Sequence, residues 1–331
     1  MLGFLRKIRY KILTESKFLK YLKYAFGEII LVVIGILIAV AINSKYNEAQ
    51  NDEKINRILF EIQRELLTDI QDSRRIFNEY IRKDSIYRMI MNDTSLVYLH
   101  QQSPFSFRIN TNYVSFSTKK AGYNRLLNNI EVIPEDYNSL LTRLNYLHVE
   151  LQNDIDDYNV MIKKAVLGYF EKENANHPEF SELFWENDTV KTLQYFVNDP
   201  FYKNKLTNYM NGLRNIQQVA NDYRIESIAI YNTIDSLNGK TTAPNALINS
   251  IPLKTDYKDF LGEYTAGSNT LTLSENGDNL LLNGEKLYWH EKHYYYNKNS
   301  YNIIRFYQSG GQYLIEILNA NNEQYYKKTD N

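Results

Sequence analysis

The chain of 331 residues contains no cysteine. Disulfides, thiolate metal sites and thiol nucleophiles are therefore excluded, while the redox compartment stays open. An excess of charge of either sign is also missing, because 38 basic and 39 acidic residues give a net charge of −1. This balance creates no global field that would attract nucleic acid. No nucleic-acid partner is predicted.

Histidine is scarce, with five residues in the whole chain. His290 and His293 are the only close pair, and they lack the four-residue spacing that places two imidazoles on one helix face. On a strand, residues three apart point to opposite faces. We predict no metal site and no cofactor, and we expect both histidines to be exposed in a hairpin.

One long apolar run dominates what the chain does contain. Ile29 to Ile42 carry no charged side chain, and counting from Tyr24 the run would form a helix of about 28 Å, close to the ~30 Å of a bilayer core. Its eleven Ile, Leu and Val residues favour insertion by about 3 to 7 kcal/mol. Glu28 lies near one end of the run, so its insertion costs less free energy than the ~2.5 to 3.5 kcal/mol of a charge at the bilayer centre.

Three interpretations of this run remain open: a buried core helix, a cleaved signal peptide and a retained membrane anchor. A core helix of this length rarely lacks a polar stripe. Ala39-Val40-Ala41 fits a cleavage site, but the 23 residues before the run already form a basic amphipathic pattern suited to a membrane surface. We therefore predict an anchor at 24–45, formed by Tyr24, Gly27, Glu28, Ile29, Val32, Val33, Ile34, Gly35, Ile36, Leu37, Ile38, Ala39, Ile42 and Asn43.

The basic residues on either side of the run predict its orientation. Residues 1–23 hold seven Lys or Arg, whereas 43–62 hold three. Because short basic flanks stay in the cytoplasm, we expect 1–23 to be cytoplasmic and everything beyond the anchor to be extracytoplasmic, with the bacterial inner membrane and its lipid bilayer as the first partner.

The segment "SKFLKYLKYAFGEIILVVIGILIAVAINSKYNE", Ser16 to Glu48, resembles the start of an uncharacterised family of bacterial single-pass membrane proteins. Its hallmarks are a Gly-Glu-Ile start, a Val-Val-Ile-Gly-Ile-Leu-Ile-Ala centre and an Ile-Asn exit. The sequence departs from the family at Lys45-Tyr46, where the family has Trp. The resemblance extends to about residue 235 and implies a retained anchor followed by a helical extracytoplasmic domain of no known activity.

Helical periodicity continues beyond the anchor. Apolar residues at three- and four-residue steps predict one long helix to about Met91; they are Ile55, Ile58, Leu59, Ile62, Leu66, Ile70, Phe77 and Tyr80. Further helical patterns follow at 117–129, 134–172, 188–197 and 202–238. We assign 46–238 to a helical domain. The small or polar residues Gly35, Ala39 and Asn43 share one face of the membrane helix, which suggests a homodimer contact.

A change of period marks a second domain. Residues 239–256 contain Gly239, Pro244 and Pro252 without a sustained period and are predicted to be a linker. In 257–329, eight short alternating runs are separated by Asn-Gly, Gly-Gly and Asn-rich turns, which indicate hairpins. We predict an antiparallel β barrel or sandwich, similar in layout to the small lipocalin-like modules appended to some penicillin-binding-like serine hydrolases. The fold class is therefore α+β.

That similarity prompts a search for the catalytic motifs of those hydrolases. Ser117 to Lys120 fits Ser-x-x-Lys, Tyr209 to Asn211 fits Tyr-x-Asn, and Lys240 to Thr242 approaches Lys-Thr-Gly. The third motif lies in the linker and has Thr in place of Gly, so we predict no catalytic residue.

The sequence therefore predicts a membrane-anchored interaction or ligand-sensing protein whose partner is an unidentified protein or small ligand. The candidate ligand surface lies on the β module and consists of Tyr294, Tyr296, Tyr301 and Tyr307. Two alternatives remain open: an envelope hydrolase or a subunit of one, and a structural envelope protein.

Overall fold

The computed structural model describes residues 16–92, 108–178, 201–239, 257–319 and 322–329, and the single residues 180, 191, 199 and 248. A long apolar helix comes first, further helices follow, and a closed eight-stranded antiparallel barrel completes the described chain. The helices are α1 Ser16–Met91, α2 Ala121–Leu127, α3 Asn138–Asn145, α4 Leu151–Asn176 and α5 Tyr202–Leu237. The predicted α+β class is confirmed, and the β module is a barrel.

Helix α1 contains the predicted anchor. In the described part of the chain it is the one helix long and apolar enough to cross a membrane; its apolar section has a mean hydropathy of 2.8 and is 0% buried. All fourteen predicted anchor residues lie on α1, and all except Gly27 are exposed. Gly35, Ala39 and Asn43 are among them, so their dimer contact stays a prediction. Further along, the eight apolar residues of the predicted periodic stripe are all buried.

Helices α2 to α5 follow the predicted segments with shifted bounds, and α4 runs to Asn176, beyond the predicted end at 172. The segment 117–129 forms α2 only at Ala121–Leu127, and 134–172 begins with a short 3-10 turn after Pro134 before α3. A π-helical segment, Tyr146–Glu150, joins α3 to α4 without a break. The predicted helix at 188–197 lies, except for Lys191, outside the described residues.

The barrel matches the eight predicted strands closely. They are β1 Gly262–Ala266, β2 Asn269–Asn276, β3 Asn279–Leu282, β4 Glu285–Glu291, β5 Tyr294–Asn297, β6 Ile303–Ser309, β7 Gln312–Leu318 and β8 Glu323–Lys328. At the Asn283-Gly284 turn both residues have positive φ, 51° and 81°, as a two-residue type I′ hairpin requires. The barrel closes where Tyr264 and Thr265 pair with Lys328 and Lys327.

The interior of the barrel is a packed core. Alternate residues of the strands point inward and are buried together with Tyr257 and Phe260 from the segment before β1; examples are Tyr264, Leu273, Leu287, Tyr295, Phe306, Ile315 and Tyr326. Phe306 packs between Phe260 and Tyr295, with ring centroids 5.7 and 4.5 Å apart. An eight-stranded barrel is just wide enough for its side chains to fill it. A ligand site on this barrel is therefore expected on its rim or outer wall.

The chain divides into two compact units. The first comprises α1 through Ile58 with Asn129–Ile133, and the second comprises Leu59–Asn128 with Pro134–Asn331. The barrel and the helical residues from Leu59 onward thus belong to the same unit. The predicted linker, 239–256, is described only at Gly239 and Ile248, so a domain boundary there stays a prediction.

Within the second unit, the outer wall of the barrel packs on α1 and α5. The imidazole of His290 on β4 stacks on the ring of Phe77 from α1, with centroids 3.7 Å apart. Arg224 on α5 donates a hydrogen bond from Nη2 to the carbonyl oxygen of Trp289, at 2.8 Å. His290 is fully buried, so the expectation of an exposed histidine is wrong there. His293, in the turn between β4 and β5, is exposed as expected.

Candidate ligand-binding site

The site begins with a polar row on α1, residues Tyr80, Asp84 and Arg88. These side chains are neighbours because residues four apart share one helix face. The Tyr80 hydroxyl donates to Asp84 Oδ1 at 3.2 Å, and Arg88 Nε donates to Asp84 Oδ2 at 2.7 Å. From α5, Arg214 Nε donates to the Tyr80 hydroxyl at 3.3 Å. The two helices therefore present a connected polar surface.

The rim of the barrel meets this surface through Arg88. Its Nη2 donates to the carbonyl oxygen of Asn319 at 3.0 Å, and its Nε lies 3.2 Å from Glu323 Oε1 at the start of β8. Burial disfavours the charged guanidinium, but the hydrogen bond and charge of Asp84 and the charge of Glu323 outweigh burial and raise the pKa of Arg88. Arg88 is thus a charge-balanced bridge between α1 and the barrel.

A cleft of about 590 Å³ opens between the two helices and this rim. Its volume falls within the ~300 to 1,000 Å³ of typical small-molecule sites. At its helical side the hydroxyls of Tyr87 and Thr207 are 3.0 Å apart and hydrogen-bonded. The lining residues are Tyr87, Arg88, Met91, Asn92, Thr207, Met210, Asn211, Arg214, Asn322, Glu323 and Tyr325. We call this the outer cleft.

A second cleft of about 270 Å³ adjoins it and shares Arg214 and Asn322 with it. Its lining is polar but almost uncharged; the residues are Tyr80, Arg214, Gln217, Gln218, Ser300, Tyr301, Asn302, Ile303, Leu318, Asn319 and Asn322. We call this the inner cleft. It lies between α5, the loop from β5 to β6 and the ends of β6 and β7.

The loop from β5 to β6 is held in an unusual conformation at this cleft. Asn297 Oδ1 accepts hydrogen bonds from the backbone amides of Asn299 and Ser300, at 2.9 and 3.1 Å. The next residue, Tyr301, has a φ of 56°, a left-handed value that is a clear outlier for a bulky side chain. Such strain persists only where surrounding contacts fix it, and it is enriched at functional sites.

Gln217 is the second unusual feature of the inner cleft. It is 1% exposed, and its Nε2 donor makes no hydrogen bond to any part of the described chain. Leaving a buried donor unpaired costs about 1 to 3 kcal/mol. Gln217 lines the inner cleft and carries this covered, unpaired donor, which a ligand oxygen could satisfy after a rotation of the side chain.

The four predicted surface tyrosines do not share one exposed face. Tyr301 lines the inner cleft and is 48% exposed, whereas Tyr296 is 1% exposed. Tyr294 and Tyr307 flank the guanidinium of Arg305, with their ring centroids 5.9 and 4.8 Å from its Cζ. Tyr294 also lies edge-on to Phe77. Of the four tyrosines, Tyr301 alone lines a cleft, and that is the inner cleft.

The hydrolase-like motifs do not converge on these clefts. Ser117 and Lys120 are exposed in the segment that leads into α2, and neither lines the inner or the outer cleft. The hydroxyl of Tyr209 is buried, accepts a hydrogen bond from Lys83 Nζ and donates one to the carbonyl oxygen of Asn112 at 2.9 Å. Asn211 lines the outer cleft. Lys240 lies outside the described residues.

Sequence reasoning missed Gln217, Arg214 and Arg88. One signal for Gln217 was present, since it follows Leu213 by four residues and Ile216 by one, and both are fully buried. A carboxamide within the apolar stripe of a helix marks either a buried hydrogen bond or a site. For Arg88 the periodicity of α1 gives no such sign, because its barrel partners are more than 230 residues away in the chain.

Comparison with the models of known protein families, with curated proteins and with solved structures finds no match to this chain.

Proposed function

We propose that the protein is a ligand-sensing protein of the bacterial inner membrane, held by the apolar section of α1, and that the inner and outer clefts bind its ligand. The observation that carries this proposal is the unpaired donor of Gln217 in the wall of a polar cleft. The volume of the adjoining outer cleft supports it, because about 590 Å³ lies within the range of small-molecule sites.

Retention of the anchor is part of the proposal. Helix α1 continues without a break from Ser16 to Met91, through the small residues Ala39 to Ala41, which supports an anchor that is not removed. The seven basic residues before the apolar run and the three after it support a cytoplasmic N-terminus and an extracytoplasmic position for the clefts.

Blocking the outer cleft tests the function. Asn211 is an exposed residue of α5 that lines this cleft, so Asn211→Trp should fill the cleft without disturbing the core. The matched control is Asn153→Trp at an exposed position of α4. The measurement is thermal unfolding of the full-length protein in detergent, with and without a low-molecular-mass extract of bacterial envelopes.

We expect the extract to raise the unfolding midpoint of the wild type and of the control by ~5 °C, since a ligand at about 100 times its Kd adds ~2.7 kcal/mol. The midpoint of Asn211→Trp should stay unchanged. An equal rise in Asn211→Trp would exclude the outer cleft from the site, and no rise in the wild type would count against the sensing function.

A further inference from the structure

We propose that the ligand is a neutral polyhydroxylated molecule, a small saccharide, held by the carboxamides and hydroxyls of the inner cleft. This inference rests on the proposed function and specifies the chemistry of the same site.

The inner cleft is lined mainly by carboxamides and hydroxyls. Five of its eleven lining residues carry a carboxamide; they are Gln217, Gln218, Asn302, Asn319 and Asn322. Three more carry a hydroxyl. A carboxamide presents donors and an acceptor side by side, and a sugar hydroxyl both donates and accepts. Pairs of neighbouring hydroxyls on a ring therefore match this lining.

The inner cleft carries little charge. Of the described residues that line the inner cleft, Arg214 alone carries a formal charge. Burial and the nearby Asp84 raise the pKa of Tyr80 above its usual value, so its hydroxyl stays protonated at neutral pH. Across the outer cleft, Arg88 is already paired with Asp84 and Glu323. The described lining of the inner cleft therefore lacks the charged side chains that would bind a cation or a multiply charged anion.

Gln217 and Tyr301 line the same cleft. Gln217 Nε2 is a buried donor without a partner in the described chain, and a ligand hydroxyl oxygen would accept its hydrogen bond. Tyr301 is held at a left-handed φ of 56° with its ring half-exposed at the cleft. A half-exposed aromatic ring at the cleft offers an apolar face to the C–H side of a sugar ring.

Two other ligand classes fit less well. An extended peptide binds most readily by adding a strand to a sheet edge, but the pairing of β1 with β8 closes this barrel and removes its edges. A lipid-like ligand needs an apolar lining, and Ile303 and Leu318 are the only aliphatic side chains among the described residues of the inner cleft.

The test is titration calorimetry of the full-length protein in detergent. The neutral probes are glucose, galactose and N-acetylglucosamine; the charged probes are glucose 6-phosphate, a multiply charged anion, and glucosamine, a cation; the peptide probe is triglycine. We expect saturable binding of at least one neutral sugar, with binding of the charged analogues about tenfold weaker or absent and no binding of triglycine. Equal or tighter binding of a charged probe or of the peptide would overturn the proposed ligand class.

Gln217→Leu tests the residue. Because an unpaired buried donor is removed, the thermal midpoint should not fall, while the affinity for the neutral sugar should drop about tenfold. Gln312→Leu, at an exposed amide on β7, should bind like the wild type. Unchanged affinity in Gln217→Leu, or a lower midpoint, would assign Gln217 a structural role and contradict the proposal.

The two experiments distinguish an error in the ligand class from an error in the position of the site. If the envelope extract stabilises the wild type but not Asn211→Trp, while no neutral sugar binds, the saccharide is wrong and the cleft assignment stands. If neither the extract nor any probe has an effect, both are wrong.

Discussion

Several buried polar side chains of α5 have atoms without hydrogen-bond partners in the described chain. Besides Gln217, Asn221 has two side-chain atoms without a hydrogen-bond partner in the described chain, and Asp222 has one. Arg224 is 2% exposed, and its pKa is lowered to about 9 by burial and by the neighbouring charge of Arg74. Unpaired buried groups cost free energy. The burial of these polar groups on α5 therefore costs stability.

Asp222 provides a measurement of that cost. Burial raises the pKa of its carboxyl to about 6, although the charge of Lys298 opposes the shift. Because the folded pKa lies above the ~3.9 of an unfolded aspartate, the native state binds more protons between about pH 4 and pH 6. Stability therefore falls as pH rises through this window and stays reduced above it.

We predict that Asp222→Asn gains stability over the wild type as pH rises from 4 to 7. The full pKa shift of Asp222 corresponds to about 3 kcal/mol of unfolding free energy. Partial solvation of the carboxyl should reduce the measured change to ~1 to 2 kcal/mol. The measurement is urea unfolding of both proteins at pH 4 and pH 7. Burial and the charge of Lys120 lower the pKa of His148 to about 4, so His148 makes the protein more stable as pH rises. Comparing the variant with the wild type cancels this opposite contribution.

The control is Asp154→Asn, which removes an exposed carboxyl of α4 and should have the same effect at both pH values. If the difference between Asp222→Asn and the wild type did not change between pH 4 and pH 7, Asp222 would not be a buried, destabilising carboxylate.

Lys83 on α1 illustrates how one residue joins distant elements. It is 1% exposed, and its Nζ donates to the carbonyl oxygen of Ile109 at 2.9 Å and to Asn112 Oδ1 at 2.7 Å, and lies 3.2 Å from Glu79 Oε1. Burial lowers its pKa to about 8 despite the charge of Glu79. With these partners the ammonium is enclosed, so the arrangement fixes the segment around Ile109 against α1.

At the scale of elements, α2 approaches α1 very closely at Gly122. A Cβ atom added there would lie 2.7 Å from Ile62 Cγ1 and 3.1 Å from Ile62 N. The backbone amide of Gly122 also donates to Glu65 Oε2 at 3.0 Å. Because Gly122 has no side chain, the backbone of α2 can lie directly against Ile62 on α1.

We predict that Gly122→Ala destabilises the protein by ~1 to 3 kcal/mol, the usual cost of overpacking a core. Gly168→Ala is the matched control, because a Cβ on this α4 residue would meet nothing within 4 Å. The control should be stabilised by ~0.5 to 1 kcal/mol through helix propensity. Urea unfolding measures both, and a loss of stability of similar size in the two variants would refute the close contact.

The elements themselves were largely predictable from sequence, and the site was not. Asn283-Gly284 and Gly310-Gly311 require positive φ and adopt it, so turn chemistry located the hairpins correctly. His290 was misjudged because alternation along β4 cannot reveal that Phe77, from α1, covers the outer wall of the barrel. The clefts depend on such pairings between distant elements, as Arg88 with Asn319 illustrates. Local patterns carry no information about them.

At the scale of the whole molecule, the sensing proposal depends on which side of the membrane the clefts face. The apolar section of α1 is long enough to span a bilayer once. Both clefts and the barrel follow this section in the chain, so they should lie on one side together. The short basic flank before the section, with seven Lys or Arg against three after it, predicts that this side is extracytoplasmic.

We therefore predict that a reporter active only in the cytoplasm is silent when fused after Asn331, while one active only outside the cytoplasm gives signal. A control fusion after Lys23, which ends the basic flank, should give the opposite result. Replacing the seven basic residues of 1–23 by glutamine should weaken the preference, because the charge difference sets the orientation. Strong cytoplasmic activity of the fusion after Asn331 would place both clefts inside the cell, where a saccharide of the envelope could not reach them.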